Sequence, residues 1–175
     1  VSLVDDAEEC KRVAQRAVDA AERALAAAAR TLDDARGEAS PRFSQAVSAQ
    51  MQRLEMGTAQ LVCEQRALPR ASWTRSGASE VEFMFQPGAG MQARPLARIA
   101  SGGEVSRVML AIKVVLGQAD SVDTLVFDEV DAGVGGSVAV ALAEVLADLA
   151  RSHQVIVVTH LAQVAVHGDV HYAVT

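Results

Sequence analysis

The chain contains little of what several common protein classes require. It has only two cysteines, Cys10 and Cys63, which form neither a C-x-x-C pair nor a disulfide framework, so we expect a reducing compartment such as the cytoplasm. No apolar run reaches the roughly 18 residues that a membrane span needs, so we expect no membrane partner. Aromatic residues make up 3% of the chain although half of it is hydrophobic, which favours packed helices and buried strands over a β-sandwich.

Basic residues are scarce in the C-terminal part. Residues 1–97 hold 12 Lys and Arg against 13 Asp and Glu, a net charge of −1, and residues 98–175 hold 4 against 9, or −5, which together give −6. A divalent cation would offset this local acidic excess. The chain has no strong basic stripe of the kind that would predict direct nucleic-acid binding. The loose cluster Arg66, Arg70 and Arg75 is either a phosphate contact or a solvated turn.

The N-terminus has the composition of neither an initiation site nor a signal peptide. The chain starts at Val1 rather than Met, and it has no basic n-region followed by an apolar h-region. We therefore expect the sequence to begin in the middle of a longer protein.

Residues 3–36 contain neither Gly nor Pro and predict one long, alanine-rich helix. Its small apolar residues follow heptad spacing, interrupted by Lys11, which favours one strand of a coiled coil over an ordinary amphipathic surface helix. GEASP at 37–41 predicts a break, followed by a second helix over 41–54 with Ser40 as its cap and Pro41 at its first position. The seam consists of Ala7, Ala14, Val18, Ala21, Leu25, Ala28 and Leu32.

Strand and helix patterns alternate in the rest of the chain and predict a parallel sheet covered by helices. One helix follows SGGE and ends at Gly117, a second covers 137–151, and a short one begins at Leu161. The predicted strands are one within 61–75, which ends in a turn, and Glu80–Gln86, Thr124–Phe127, Gln154–Thr159 and Asp169–Val174.

Ser101, Gly102 and Gly103 open the predicted helix after residue 100. Glycines let a ligand approach the backbone, and the free N–H groups at a helix N-terminus favour an anion. A plain capped helix start, with Glu104 in the first turn, explains the same residues equally well.

Two adjacent carboxylates, Asp128 and Glu129, end the strand 124–127. Ligands bind at the carboxyl ends of strands in open α/β sheets, so we predict that Asp128 holds magnesium through water and Glu129 polarises an attacking water as general base. A solvated acidic turn is the alternative. His160 follows the next strand, where its imidazole could reach the same water or a γ-phosphate.

In this order the three motifs resemble those of ABC-type ATPases. SGGE looks like the signature motif, LVFDE like Walker B with its catalytic glutamate, and VTH like the switch histidine, while Asp131 stands where the D-loop would begin. The stretches LARIASGGEVSRVMLAIKVVL, DTLVFDEVDAGVGG and HQVIVVTHLAQVA resemble the RecN family of bacterial double-strand-break repair ATPases, which are related to SMC proteins. Over residues 80–175 the resemblance is strong, and it is looser over the helical part.

The resemblance implies an α/β fold, namely the C-terminal lobe of an ABC/SMC-type ATPase head preceded by a coiled-coil helix. Residues 1–36 would be the return helix of the coiled coil, 37–60 a helical connector and 61–175 the lobe. Walker A, G-x-x-x-x-G-K-[ST], occurs nowhere in the chain, whose only lysines are Lys11 and Lys113. The N-terminal half of the head would supply it, so we expect this chain alone to hydrolyse no ATP.

The resemblance also implies ATP and Mg²⁺ as cofactors and assigns roles to individual residues. Two heads would enclose two nucleotides as a homodimer, and Asp128, Glu129 and His160 would serve the site of their own head. The residues that reach across to the nucleotide bound by the other head would be Ser101, Gly102, Gly103 and Glu104. Asp131 would line the interface between the two active sites.

The implied function is ATP-driven head engagement coupled to holding or bridging DNA ends, single-stranded or duplex, in the nucleoid of the cytoplasm. Two alternatives remain open at this stage. One is the nucleotide-binding subunit of an ABC transporter, against which Glu104 counts, since transporters usually have Gln after SGG. The other is an SMC-like scaffold that does not hydrolyse ATP.

Overall fold

The computed structural model describes residues 3–119 and 121–173, which form four α-helices and five strands. Contacts between residues divide the chain into two compact units, the first made of Val1–Ala39 and Gln65–Val81 and the second of Ser40–Glu64 and Glu82–Thr175. The elements are α1 Leu3–Arg53, β1 Gln60–Ala67, β2 Ser79–Gln86, β3 Arg94–Pro95, α2 Gly102–Leu116, β4 Thr124–Phe127, α3 Ser137–Ala150, β5 Gln154–Val157 and α4 Ala162–Ala165.

Helix α1 is continuous, so the predicted break at 37–41 and the separate second helix are wrong. Pro41 lies inside the helix, although it cannot donate a backbone hydrogen bond to Gly37. The helix continues because its C-terminal part is packed: Val47 and Met51 are fully buried in the core of the second unit. Burial of these side chains outweighs the local cost of the proline. Proline and glycine therefore mark the place where the two units divide along the chain, without ending the helix.

In the first unit, polar side chains join α1 to residues 65–81. Asp33 accepts a hydrogen bond from the hydroxyl of Ser79 at 2.5 Å, and Arg36 donates to the carbonyl of Ser76 at 2.8 Å. The predicted seam residues Val18, Leu25 and Leu32 lie seven residues apart and are exposed in the described chain. The coiled coil stays a prediction, for which this exposed row supplies a surface.

Strands β1, β2 and β3 form a three-stranded sheet in that order, with β2 and β3 antiparallel. Strand β1 matches the strand predicted within 61–75 and ends at Ala67, followed by a 3₁₀ turn at Arg70–Ser72. In the second unit, serines of α1 hold β1: Ser48 accepts from the amide of Leu61 and Ser44 from that of Cys63, each at 3.1 Å.

The core of the second unit lies where α2 and α3 pack on strands β4 and β5. These strands are parallel, with Leu125 opposite Val155 and Phe127 opposite Val157, which confirms the predicted parallel pairing. Leu125 and Phe127 point into the core, together with Leu110, Leu142 and Val145.

Of the two strands predicted near the C-terminus, one is too long and the other is not formed over the described residues. Strand β5 ends at Val157 rather than Thr159, because Thr159 and His160 turn towards Asp131. The predicted strand Asp169–Val174 is not formed over residues 169–173, where Val170 and Tyr172 are exposed and have no neighbouring strand in the described chain; Val174 lies outside the described residues.

One face of the β4–β5 pair is apolar and exposed. Val126 is 65% exposed, and Ile156 and Val158 of the neighbouring segment are also exposed. Strand β4 pairs only with β5 among the described residues. Because helices normally cover both faces of a parallel sheet, this face predicts a further layer. No described helix has the length and hydropathy needed to cross a membrane.

Candidate active site

Helix α2 begins with a capped N-terminus, which was one of the two interpretations open for SGGE. Ser101 has extended backbone angles, and its hydroxyl accepts a hydrogen bond from the amide of Glu104 at 3.4 Å. Gly102 is exposed, whereas Gly103 is buried. The start of α2 therefore combines a capped helix with an exposed glycine, and anion binding by these residues stays a prediction.

Asp128 and Glu129 lie directly after β4, as the sequence predicted, and both are exposed to solvent. The carboxylate of Asp128 accepts from the amide of Glu129 at 2.8 Å, and the carbonyl of Asp128 accepts from the hydroxyl of Ser106 at 2.8 Å. Glu129 has a left-handed backbone, with φ of 56°. Such angles are uncommon for residues other than glycine and concentrate at functional sites, where surrounding contacts hold them in place.

The side chain of Glu129 lies over Gly102 of the same chain. A Cβ added to Gly102 would be only 2.1 Å from Oε2 of Glu129. The carboxylate therefore occupies the space that the side chain of any residue other than glycine at position 102 would need. The partial positive charge at the N-terminus of α2 favours a carboxylate there. The family resemblance assigns Glu129 and Gly102 to different nucleotide sites, whereas in this structure the two residues of one chain lie together.

Gly103 permits close packing between α2 and the loop after β4. A Cβ at Gly103 would lie 3.0 Å from Cβ of Ala132, 3.1 Å from its carbonyl oxygen and 3.2 Å from the carbonyl oxygen of Glu129. The two glycines thus have separate uses in this chain: Gly102 accommodates a carboxylate and Gly103 accommodates backbone.

Asp131 is buried, with 3% of its surface exposed. Its Oδ2 accepts from the hydroxyl of Thr159 at 2.5 Å and from the amide of His160 at 3.3 Å, and Nδ1 of His160 lies 3.4 Å away. The carboxylate of Asp131 is therefore not accessible in this structure for the interface role that the resemblance implies, and that role stays a prediction. Thr159 was missed, although its place directly before His160 in VTH was a usable signal.

His160 combines a fixed backbone with an accessible ring. The side chain is 75% exposed, and Asp131 anchors both its amide and one ring nitrogen. The accessible ring can contact a bound anion.

Arg107 is a second residue that the sequence analysis missed. It is half-buried, and its Nη1 donates to the carbonyl oxygens of Val130 at 3.3 Å and Ala132 at 3.0 Å. Burial lowers the pKa of Arg107, and the nearby carboxylate of Glu104 opposes this shift. The side chain stays a cation at neutral pH, because arginine loses its proton only under strongly basic conditions.

The residues present fit a magnesium ion that is bound together with a phosphate ligand. Among the described residues, no group of three or more His, Cys, Asp or Glu could hold a metal on its own. Magnesium typically keeps several waters and takes one or two protein carboxylates plus substrate phosphates. The exposed carboxylate of Asp128 at the end of a strand meets that requirement.

Relatives of the chain are found among curated DNA repair proteins. The chain is 48% identical over 161 residues to DNA repair protein RecN of Streptomyces coelicolor and 45% identical over 175 residues to that of Mycobacterium leprae. These alignments cover 86% and 90% of the chain, but only 28% and 30% of the two relatives. RecN of Treponema pallidum is 55% identical over 98 residues, which cover 56% of the chain and 17% of that protein. No family model matches the chain.

Solved structures with the same fold are heads of Smc proteins. An Smc head domain with an extended coiled coil from Pyrococcus furiosus superposes with a TM-score of 0.54 at 17% identity, covering 95% of this chain and 43% of that one. An Smc head domain from Pyrococcus yayanosii gives 0.53 at 18% identity, covering 73% and 23%. At these identities the likeness concerns the fold alone, and it confirms the predicted α/β class.

Proposed function

We propose that this chain, which is related to DNA repair protein RecN over most of its own length, is the C-terminal lobe of a split ATPase head. The observation that carries the proposal is the meeting of three motifs in the second unit. The N-terminus of α2 and Thr159–His160 after β5 both contact the loop after β4, which carries Asp128, Glu129 and Asp131. A transporter subunit would share the three motifs, but the relatives found are DNA repair proteins.

The proposed reaction is attack of water on the γ-phosphate of ATP, which breaks the bond from the γ-phosphorus to the bridging oxygen and releases ADP and inorganic phosphate. Bound Mg²⁺ would neutralise charge on the phosphates, and Asp128 would hold it through water. Glu129 would take the proton of the attacking water, and His160 would contact the γ-phosphate or that water. Positioning and electrostatics supply most of the catalysis in phosphoryl transfer, so fixed places for these side chains matter more than covalent chemistry.

The proposed site is incomplete within this chain and requires an N-terminal lobe that carries Walker A. The exposed apolar face of β4 and β5 supports this step, because parallel sheets normally have both faces covered, and the N-terminal lobe would supply the missing cover. We also propose that two heads associate through nucleotide, with Ser101, Gly102 and Gly103 contacting the γ-phosphate bound by the partner head and Glu104 next to them at the same nucleotide. Glu129 would then leave its place over Gly102 when the nucleotide arrives.

The proposed biological task is ATP-controlled holding or bridging of DNA ends during repair, carried out by head dimers at the base of a coiled coil. Such a task belongs in the nucleoid. The exposed row Val18, Leu25 and Leu32 on α1 supports the coiled coil, since it offers heptad-spaced apolar side chains to a partner helix.

The test is ATP turnover by this chain mixed with the N-terminal half of the same head, and by the full-length protein. We expect turnover to require both halves, and Glu129→Gln to lower kcat by about 100-fold or more, as removal of a general base does. Glu144→Gln, at an exposed position on α3, is the matched control and should leave kcat unchanged. Turnover that survives Glu129→Gln, or that this chain achieves alone, would refute the proposal.

A further inference from the structure

Helix α2 binds the carbonyl groups of alternate residues in the loop after β4. Ser106 donates to the carbonyl of Asp128, and Arg107 donates to those of Val130 and Ala132. Gly103 lets the same loop approach the helix closely. The loop is therefore attached to α2 through the carbonyls of every second residue from 128 to 132, and a single guanidinium nitrogen binds two of these three carbonyls.

The contacts of Arg107 lie next to the residues that are proposed to act in catalysis. Val130 and Ala132 flank Asp131, the carboxylate that binds Thr159 and His160. Glu129, with its left-handed backbone, lies between the carbonyl bound by Ser106 and the first carbonyl bound by Arg107. Fixing these carbonyls restricts both the direction of the Glu129 side chain and the place of Asp131, and through Asp131 that of His160.

The chemistry of the side chain suits this task. Hydrogen bonds from a cation to carbonyl oxygens are about twice as strong as those between neutral groups, and partial burial reduces competition from water. Glu104, one turn earlier on α2, offsets part of the cost of burying the charge. An amide or apolar residue at position 107 would leave two carbonyls without their cationic donor.

We propose that Arg107 is a positioning residue, which makes the N-terminus of α2 and the backbone of the loop that carries Glu129 and Asp131 move as one body, and His160 with them through Asp131. The inference rests on the proposed ATPase function and deepens it. In the proposed dimer, Ser101 and Gly102 contact the nucleotide of one site, while Glu129 and His160 of the same chain serve the other. Arg107 would then couple the occupancy of one site to catalysis at the other.

The first test needs no ATP turnover. Hydrogen–deuterium exchange is measured on the full-length protein without nucleotide, for wild type, Arg107→Gln, Arg107→Lys and the surface control Arg151→Gln. We expect exchange at the amides of Ala132 and Val134 and in the peptide 159–161 to rise about 10-fold in Arg107→Gln, because the loop loses a charged donor. Arg107→Lys should restore part of the protection, and Arg151→Gln should resemble wild type. Unchanged exchange in Arg107→Gln would overturn the proposal.

The second test separates positioning from stability. Steady-state turnover is measured against ATP concentration for the same variants, with thermal unfolding as the reference. We expect Arg107→Gln to lower kcat about 10- to 100-fold, to change KM little and to abolish cooperativity between sites, with partial rescue by Lys. A loss of kcat that merely follows the fraction unfolded, with cooperativity kept, would overturn it. Failure of the proposed function is a separate outcome, recognised by turnover that does not depend on Glu129.

Discussion

The hydroxyl of Thr159 donates to the carboxylate of Asp131 at 2.5 Å, and this bond joins the segment after β5 to the loop after β4. Asp131 is buried, so its oxygens depend on protein donors rather than on water. Besides Thr159, the amide of His160 supplies such a donor. Placement of the proposed switch histidine thus depends on a threonine that has no role in the chemistry itself.

Replacement of Thr159 by valine should therefore lower the free energy of unfolding and also displace His160. Valine keeps the shape but leaves the buried carboxylate short of a donor, which costs about 1–3 kcal/mol of unfolding free energy. Thr159→Ser keeps the hydroxyl and should cost less than Thr159→Val. Urea denaturation compares the three proteins, and equal midpoints for valine and threonine would contradict the expected role.

The two glycines of SGGE should respond differently to alanine. At Gly103 the new Cβ meets backbone oxygens and Ala132, which cannot move without shifting the loop, so we expect a loss of about 1–3 kcal/mol. At Gly102 it meets only the end of the Glu129 side chain, which can rotate away, so stability should fall by less than about 1 kcal/mol. Thermal unfolding measures both, and a larger loss for Gly102→Ala would reverse the assignment.

The exposed face of β4 should bind the N-terminal half of the head. Val126→Asp places a charge in the middle of that face and should weaken co-purification of the two halves at least 10-fold, since a buried unpaired charge is costly. Val140→Asp, on α3, is the control: Val140 is also exposed, at 43% against 65% for Val126, but belongs to another surface. Equal effects of the two substitutions would show that the face of β4 has no special part in binding.

The heptad row on α1 should be covered in the full-length protein. Leu25→Glu interrupts the row Val18, Leu25 and Leu32, so we expect limited proteolysis within residues 10–36 to become several-fold faster. Val13→Glu changes an exposed valine outside that row and serves as the control. Indistinguishable cleavage rates for the two variants would favour the plain surface helix.

Local patterns in the sequence were sufficient to place most of the second unit. Strand β4 lies where its short apolar run predicted it, and α2 begins after Ser101 and ends at Leu116, directly before Gly117, because such runs, caps and glycines act over a few neighbouring residues. The carboxylates and His160 could be assigned to the ends of β4 and β5 for the same reason. These features need no knowledge of distant contacts.

Contacts between distant residues were not predictable in this way. Burial of Val47 and Met51 overrides the helix break that Gly37 and Pro41 predicted. The inward direction of Asp131 depends on Thr159, 28 residues away, and the role of Arg107 depends on carbonyls more than 20 residues further along the chain. A sequence pattern reports which side chains are available, whereas the partner that each one finds is decided by packing.

The proline within α1 has a mechanical consequence. Pro41 cannot donate to Gly37, and glycine itself favours the unfolded chain, so the helix has its weakest turn between these two residues. Under tension along its axis, α1 would unwind there first, while the buried turns around Val47 and Met51 hold. A pulling force applied to the N-terminal part of this helix would thus unwind this single turn before it became large enough to extract the rest of α1 from the core.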